Sequence, residues 1–195
     1  AEVAMIIDEA ENGEGLSDKQ KSYHDKTKIR DVALLSLLLG TGIRVSECVG
    51  LNISDVDFKN NGILIHRKGG KEVTVYFSDE VKSALQDYMD SRVLILEETG
   101  HEGALFLSMQ NKRLAVRSVE NLVKKYAKII SPLKKITPHK LRSTYGTNLY
   151  KETGDIYLVA DVLGHSDVNT TKKHYAAIEE DRRKSAGNKV RLRGN

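Results

Sequence analysis

A histidine and an arginine stand three residues apart at the start of a predicted helix, in residues 137–142 (TPHKLR). Thr137 is a good N-cap, and a proline follows it at the first helical position, where proline is favoured. The free N–H groups of a helix start carry partial positive charge and normally attract acidic residues. Here the first turn carries His139, Lys140 and Arg142, which favours an external anion such as phosphate. A basic turn that contacts only water is the alternative.

A second arginine stands at another predicted helix start. Arg44 follows residues 40–42 (GTG), and Glu47 is three residues further on. One interpretation is a guanidinium fork directed at phosphate, with Glu47 orienting it. The other is a surface ion pair of little energetic value.

A lysine lies at the turn of a predicted hairpin. Lys68 is flanked by Arg67 and Lys71 in the turn. A lysine on a mobile turn can reach into a DNA groove and donate a proton to a departing oxygen. A charged hairpin tip that only favours solubility is the alternative.

A histidine and a tyrosine lie ten residues apart near the C-terminus. His165 follows Gly164 in a tight joint between two helices, where its ring can also simply cap a carbonyl. Tyr175 is one of eight tyrosines, and a phenol with a pKa of about 10 is a weak nucleophile until its proton is removed. A nearby histidine or lysine, with guanidinium groups to stabilise the phenolate, would activate it. His174 is adjacent but is predicted to face another way.

Composition narrows the classes of function. The chain has 195 residues and a net charge of +4, which is compatible with a polyanionic partner or with an ordinary basic protein. Cys48 is the only cysteine, so no intrachain disulfide can form, and a reducing intracellular setting fits. No apolar run approaches the roughly 18 residues of a membrane span. The sequence has no metal-ligand spacing, P-loop or dinucleotide fingerprint, so we expect no metal and no cofactor.

The elements that must position these residues are mostly helical. Apolar periodicity predicts a buried helix over 29–39 after a polar surface loop over 13–28. Alternation predicts a hairpin over 62–77 with glycines in its turn, and a third strand over 104–108. The predicted fold is mainly α with a small antiparallel three-stranded β-sheet, an α+β class. The other predicted helices span 1–11, 79–97, 115–130, 138–152, 156–163 and 168–178.

Five segments in this order resemble the catalytic domain of tyrosine recombinases, the phage-integrase family. They are residues 37–47 (LLLGTGIRVSE), 68–72 (KGGKE), 139–142 (HKLR), 163–165 (LGH) and Tyr175. Each segment alone is weak, but five in the family's order make a specific signal. The resemblance covers about residues 25–180.

The resemblance implies metal-free DNA strand exchange and a role for each matched residue. Arg44 and Arg142 would hold the non-bridging oxygens of the scissile phosphate and neutralise charge in the transition state. Lys68 would be the general acid for the 5′-oxygen, and Tyr175 would form a 3′-phosphotyrosine. His139 and His165 would assist in proton transfer and phosphate positioning, and Glu47 would support the site. Further DNA contacts would come from Arg67, Lys71 and Lys140.

The resemblance also implies partners. Residues 1–178 would be the catalytic domain, and the charged tail 179–195 would dock on a neighbouring subunit in a homotetramer on double-stranded DNA. The family's N-terminal core-binding domain is not in this chain, so we expect the chain alone to bind DNA poorly. The resemblance further implies that an accessory excision factor binds the protein and that the protein acts in the bacterial cytoplasm.

The spacing from His165 to Tyr175 is one residue longer than in Xer chromosome-dimer recombinases. This favours a phage or conjugative-transposon integrase. The alternatives are a Xer-type resolvase, a type IB topoisomerase-like enzyme that relaxes DNA, a DNA-binding module without activity, and a generic basic helical protein.

Overall fold

A computed structural model of the chain describes residues 2–165, 168–187, 189 and 192. They form two compact units, residues 1–145 and 146–195. Helix α6 begins in the first unit and ends in the second. The helices are α1 (Met5–Asn12), α2 (Asp18–Thr41), α3 (Val45–Val49), α4 (Asp79–Arg92), α5 (Val116–Ile130), α6 (Pro138–Thr153), α7 (Ile156–Leu163), α8 (Val168–His174) and α9 (Ala176–Ala186), and the strands are β1 (Val56–Asp57), β2 (Gly62–His66) and β3 (Glu72–Tyr76). The predicted class, mainly α with a three-stranded antiparallel sheet, is confirmed.

The long helix α2 is the centre of the first unit. The surface loop predicted over 13–28 is wrong from residue 18 onward, because Ser17 and Gln20 form a reciprocal capping box that starts the helix there. The capping box makes the polar first turns of α2 helical. Only the second half of α2 has the apolar pattern from which the helix over 29–39 was predicted. Ala33 and the buried leucines of that second half form much of the core, and Gly42 ends the helix with a φ of 68°.

The predicted hairpin is present as β2 and β3, with Ile63 opposite Val75 and His66 opposite Glu72. Gly69 and Gly70 have φ values of 83° and 76°, conformations that need glycine in this turn. The third strand is β1, paired with β2, so the prediction of a strand over 104–108 was wrong. That stretch is apolar because it is buried among loops. Its backbone forms hydrogen bonds with the loops around residues 51 and 113 and not with a strand of the sheet.

Helix α4 ends at Arg92, not at residue 97 as predicted. The Arg92 guanidinium is buried and donates to the carbonyl oxygens of Ala104 and Ile95 and to the carboxylate of Glu97. These bonds fold the chain back before the apolar pattern ends. The same guanidinium lowers the pKa of Glu97 to about 2.

The second unit contains the end of α6 and helices α7 to α9. The Asp155 carboxylate caps α7, and Gly164 ends it with a φ of 72°. A single helix predicted over 168–178 is interrupted, because Tyr175 has φ −109° and ψ 19° between α8 and α9. The first part of the predicted charged tail continues as α9, and residues 188, 190, 191 and 193–195 lie outside the described residues. No described helix has the length and apolar character needed to cross a membrane.

Candidate active site

The turn from Gly42 to Arg44 joins two of the predicted catalytic arginines. Gly42 ends α2, and Arg44 occupies the N-cap position of α3. The Arg142 side chain, 7% exposed, donates a hydrogen bond from Nη1 to the carbonyl oxygen of Gly42. Arg44 is half exposed. The turn therefore holds Arg142 inside the protein and carries Arg44 at the surface. Two guanidinium groups attached to one turn suit a site for two phosphate oxygens.

Glu47 orients the arginines around it. Its carboxylate is buried, with Oε1 accepting from the backbone N–H of Arg44 at 2.8 Å. Oε2 lies 3.7 Å from Nη1 of Arg44 and 3.4 Å from Nε of Arg67. The predicted Arg44–Glu47 contact is present. Arg67, which the sequence assigned to DNA, has a mostly buried side chain against Glu47.

His139 lies in the first turn of α6, where Thr137 caps the helix by accepting from the N–H of Lys140 at 3.3 Å. His139 and Lys140 are exposed, whereas Arg142 on the next turn is buried. The motif therefore presents a histidine to the outside and directs the arginine inward to the turn at Gly42. This division of the motif was not evident from the spacing alone.

An open cavity of about 700 Å³ adjoins His139, between the exposed face of α5 and residues 132–138, and Val45 also lines it. Its wall is strongly basic, with Glu120 as an acidic member. Such a wall attracts a polyanion. We call it the basic groove. It is lined by His139 and by the cationic side chains of Arg117, Lys124, Lys128, Lys134 and Lys135. Of these residues only His139 had a role predicted from the sequence, although the helical spacing of Arg117, Lys124 and Lys128 on α5 indicated a shared face.

Lys68 and Lys71 are exposed at the hairpin turn. At the base of the hairpin, His66 lies 3.2 Å from Asp55 and 3.2 Å from Glu72. The hydrogen bond to Asp55 is the main cause that raises the pKa of His66 above its ordinary value. The hairpin that carries Lys68 is thus tied to the 3₁₀ turn before β1.

In the second unit, Thr171 connects the other two predicted catalytic residues. Its hydroxyl lies 2.6 Å from Nδ1 of His165. Its carbonyl oxygen accepts from the backbone N–H of Tyr175 at 3.2 Å. Thr171 is completely buried. No motif in the sequence pointed to this threonine.

The predicted nucleophile is buried in this structure. Tyr175 is 3% exposed, its ring packs against Tyr150 with centroids 5.8 Å apart, and His174 meets it edge-on. A Cβ at Gly146 would lie 2.3 Å from the Tyr175 hydroxyl oxygen, so glycine at this point of α6 leaves the space that the phenol occupies. Burial raises the pKa of the neighbouring Tyr150 above its ordinary value.

The structure gathers the predicted residues into two sets. Arg44, Glu47, Arg67 and Arg142 are connected in the first unit, and His165 and Tyr175 are connected through Thr171 in the second. Within the described residues, no group of three or more His, Cys, Asp or Glu side chains could hold a metal ion.

Comparison with known proteins identifies the family. Residues 2–182 match the model of the phage integrase family, and the chain belongs to that family. It is 39% identical over 150 residues to the tyrosine recombinase XerC of Thermodesulfovibrio yellowstonii, covering 73% of this chain and 48% of the relative.

Solved structures agree with this assignment. The crystal structure of XerA recombinase has a TM-score of 0.74 and 31% identity, covering 88% of this chain and 56% of the other. The XerH site-specific recombinase, in a pre-cleavage complex with its difH substrate, has a TM-score of 0.71 and 25% identity, covering 87% and 47%. The chain spans about half the length of the curated relatives it matches.

Proposed function

We propose that the chain is the catalytic part of a site-specific DNA recombinase that cuts and rejoins strands through Tyr175. The observation that supports this most directly is the attachment of Arg142 to the Gly42 carbonyl, next to Arg44. Two guanidinium groups fixed to one short turn are suited to the non-bridging oxygens of one phosphodiester. They stabilise the charge that develops on those oxygens in the transition state.

The proposed first step is a transesterification. The Tyr175 oxygen attacks the phosphorus, a P–O bond to the phenol forms, and the bond from phosphorus to the 5′-oxygen breaks. The phenol proton passes to a histidine, His139 or His165, and Lys68 donates a proton to the departing 5′-oxygen. In the second step the 5′-hydroxyl of another strand attacks the 3′-phosphotyrosine and releases Tyr175. The phosphodiester energy is conserved, so no external energy source is required.

The basic groove supports double-stranded DNA as the partner. It adjoins His139 and contains five lysine and arginine side chains against Glu120, a pattern that suits phosphate backbone contacts. The exposed Lys71 and Lys140 would add to these contacts. Arg67, which lies against Glu47, would act mainly by orienting the site.

The kind of recombination is a finer part of the proposal. The ten-residue interval from His165 to Tyr175 favours a phage or conjugative-transposon integrase, whereas the high identity to XerC favours a Xer-type resolvase. We propose the mobile-element role, with residues 1–178 as the catalytic domain. A homotetramer on DNA, docking of the tail 179–195 on a neighbouring subunit, an accessory excision factor and a bacterial cytoplasmic location belong to the same proposal.

Capture of a covalent intermediate tests the proposed chemistry. The chain is incubated with a pool of nicked duplexes that carry randomised sequence around the nick, and adducts that survive detergent are recovered and sequenced. We expect adducts with the wild-type chain and none with Tyr175→Phe, whereas Tyr150→Phe serves as the matched control. Adducts that persist in Tyr175→Phe would contradict the assignment of the nucleophile.

The recovered sequence then separates the remaining alternatives. Two duplexes that carry it are mixed, and strand exchange between them is measured beside relaxation of a supercoiled plasmid that carries one copy. Exchange supports a recombinase. Relaxation without exchange supports a type IB topoisomerase-like activity, and binding without either reaction supports a DNA-binding module. Resolution of a dimeric plasmid that carries two copies of the recovered sequence into monomers would favour the Xer-type role over the mobile-element role.

A further inference from the structure

We infer that Thr171 is a positioning residue that sets the protonation pattern of the His165 ring, from the helix whose last turn leads to Tyr175. This inference rests on the proposed function. It starts from two contacts of one buried residue: the hydroxyl lies 2.6 Å from Nδ1 of His165, and the carbonyl oxygen accepts from the N–H of Tyr175 at 3.2 Å.

The backbone on both sides of this contact is also fixed. The N–H of His165 donates to the carbonyl oxygen of Ala160 at 2.9 Å, at the end of α7. Thr171 lies in α8 with no exposed surface. The backbone of His165 is therefore anchored to α7, and the Nδ1 atom of its ring is in contact with the Thr171 hydroxyl of α8, which helps to fix the orientation of the imidazole.

The chemistry of the partner explains why a hydroxyl suits this position. A neutral imidazole donates from one ring nitrogen and accepts at the other. Phosphate oxygens carry no hydrogen to donate, so a neutral His165 that contacts them must donate from Nε2 and accept at Nδ1. The Thr171 hydroxyl supplies the hydrogen that Nδ1 then accepts.

A hydroxyl also tolerates the other protonation state. When the imidazole gains a proton, Nδ1 becomes a donor, and the same hydroxyl rotates and accepts through its oxygen. An ionised carboxylate in this position could only accept, and it would hold the hydrogen on Nδ1. In the Nε2–H form, Nε2 of His165 already carries a hydrogen, so the proton of Tyr175 passes to His139. Thr171 keeps the His165 ring oriented both in this form and when Nδ1 gains a proton as well.

The test uses two substitutions that separate shape from hydrogen bonding. Thr171→Val keeps the volume and removes the hydroxyl, whereas Thr171→Ser keeps the hydroxyl and removes a buried methyl group. If Thr171 acts only through packing, the valine variant should behave more like the wild type than the serine variant, because deleting a buried methyl leaves a small void. If Thr171 positions the His165 ring, the serine variant should behave more like the wild type. Thr170→Val, on the exposed neighbour of Thr171, is the control.

The first readout does not depend on activity. Long-range proton–nitrogen NMR correlations report which ring nitrogen of His165 carries the hydrogen, with the signal assigned through its loss in His165→Gln. We expect the Nε2–H form with a hydrogen-bonded Nδ1 in the wild type, Thr171→Ser and Thr170→Val, and loss of the Nδ1 hydrogen-bond shift in Thr171→Val. An Nδ1–H form in the wild type, or a valine spectrum identical to it, overturns the inference.

The second readout is the single-turnover rate of adduct formation as a function of pH. We expect Thr171→Val to be about tenfold slower, with a displaced acidic limb, and Thr171→Ser to stay within about threefold of the wild type. A serine variant slower than the valine variant overturns the role in catalysis. A wild-type chain that forms no adduct contradicts the proposed function, while the NMR result still decides whether Thr171 sets the state of His165.

Discussion

The Arg142 guanidinium donates a hydrogen bond to the carbonyl oxygen of Gly42, 100 residues earlier in the chain. This bond attaches the first turns of α6 to the turn that carries Arg44. A lysine carries the same charge but lacks the planar fork, whose separate nitrogens can bind the carbonyl and a phosphate oxygen in fixed directions.

Arg142→Lys should therefore lower the rate of adduct formation by about 10²- to 10³-fold, the usual effect of removing one transition-state hydrogen-bond donor. Single-turnover cleavage of the recovered DNA sequence measures it. Arg117→Lys, whose exposed side chain pairs with Glu120, is the control and should change the rate little. Equal effects of the two substitutions would count against the role of Arg142.

Glu47 should act through the arginines that it contacts. Glu47→Gln keeps an oxygen that accepts from the Arg44 N–H, but it removes the charge near Arg44 and Arg67. We expect the cleavage rate to fall about tenfold. The capping bond survives, but the mostly buried Arg67 loses its charged partner, so the free energy of unfolding should fall by about 1–3 kcal/mol. Denaturant unfolding and single-turnover rates are compared with those of Glu120→Gln. An unchanged rate would show that Arg44 needs no orienting charge.

Gly146 should be required for the buried position of Tyr175. A helical glycine usually gains stability on replacement by alanine, but here the added Cβ would lie 2.3 Å from the Tyr175 hydroxyl oxygen. We expect Gly146→Ala to lower the free energy of unfolding by about 1–3 kcal/mol. In a Tyr175→Phe background the cost should be smaller, because the clashing oxygen is gone. A cost that is equal in both backgrounds would mean that the phenol does not occupy this space.

The ionisation of His66 should stabilise the base of the hairpin at low pH. Asp55 and then the charge of Glu72 raise the pKa of His66. Because the folded pKa lies above the unfolded value, the stabilisation is complete below the unfolded pKa and is lost as the pH rises through the folded pKa. An NMR titration should give a His66 pKa above the ordinary 6.5, and Asp55→Asn should lower it. Asp57→Asn, which contacts Asn60 instead, should leave it unchanged.

The basic groove should contribute DNA affinity that depends on salt and not on sequence. Lys124→Ala and Lys128→Ala should each weaken binding to any duplex and reduce the slope of log K against log salt by about 1. Fluorescence anisotropy at several salt concentrations measures both effects. Lys19→Ala, in the first turn of α2 and not among the side chains that line the groove, is the control. A slope that none of these substitutions alters would mean that DNA lies elsewhere.

Several elements could be predicted from local pattern. Alternating apolar residues and two glycines located the hairpin, and the Asp155 cap and Gly164 marked both ends of α7 correctly. The wrong predictions concern elements whose ends or partners are determined by contacts between residues far apart in the sequence. Arg92 ends α4 early through bonds to the 95–104 segment, and the buried stretch 104–108 pairs with loops instead of the sheet. Alternation records which side chains are buried, but it does not identify the backbone partner.

The sequence by itself determined the family resemblance and the identity of the candidate residues, because helix caps, glycine turns and the order of motifs are local properties. Only the tertiary structure decided how those residues are held. Arg142 binds a carbonyl 100 residues away, Glu47 lies between Arg44 and Arg67, and Thr171 bonds the His165 ring. Such partners depend on which helices and turns meet in three dimensions, and no spacing along the chain specifies that.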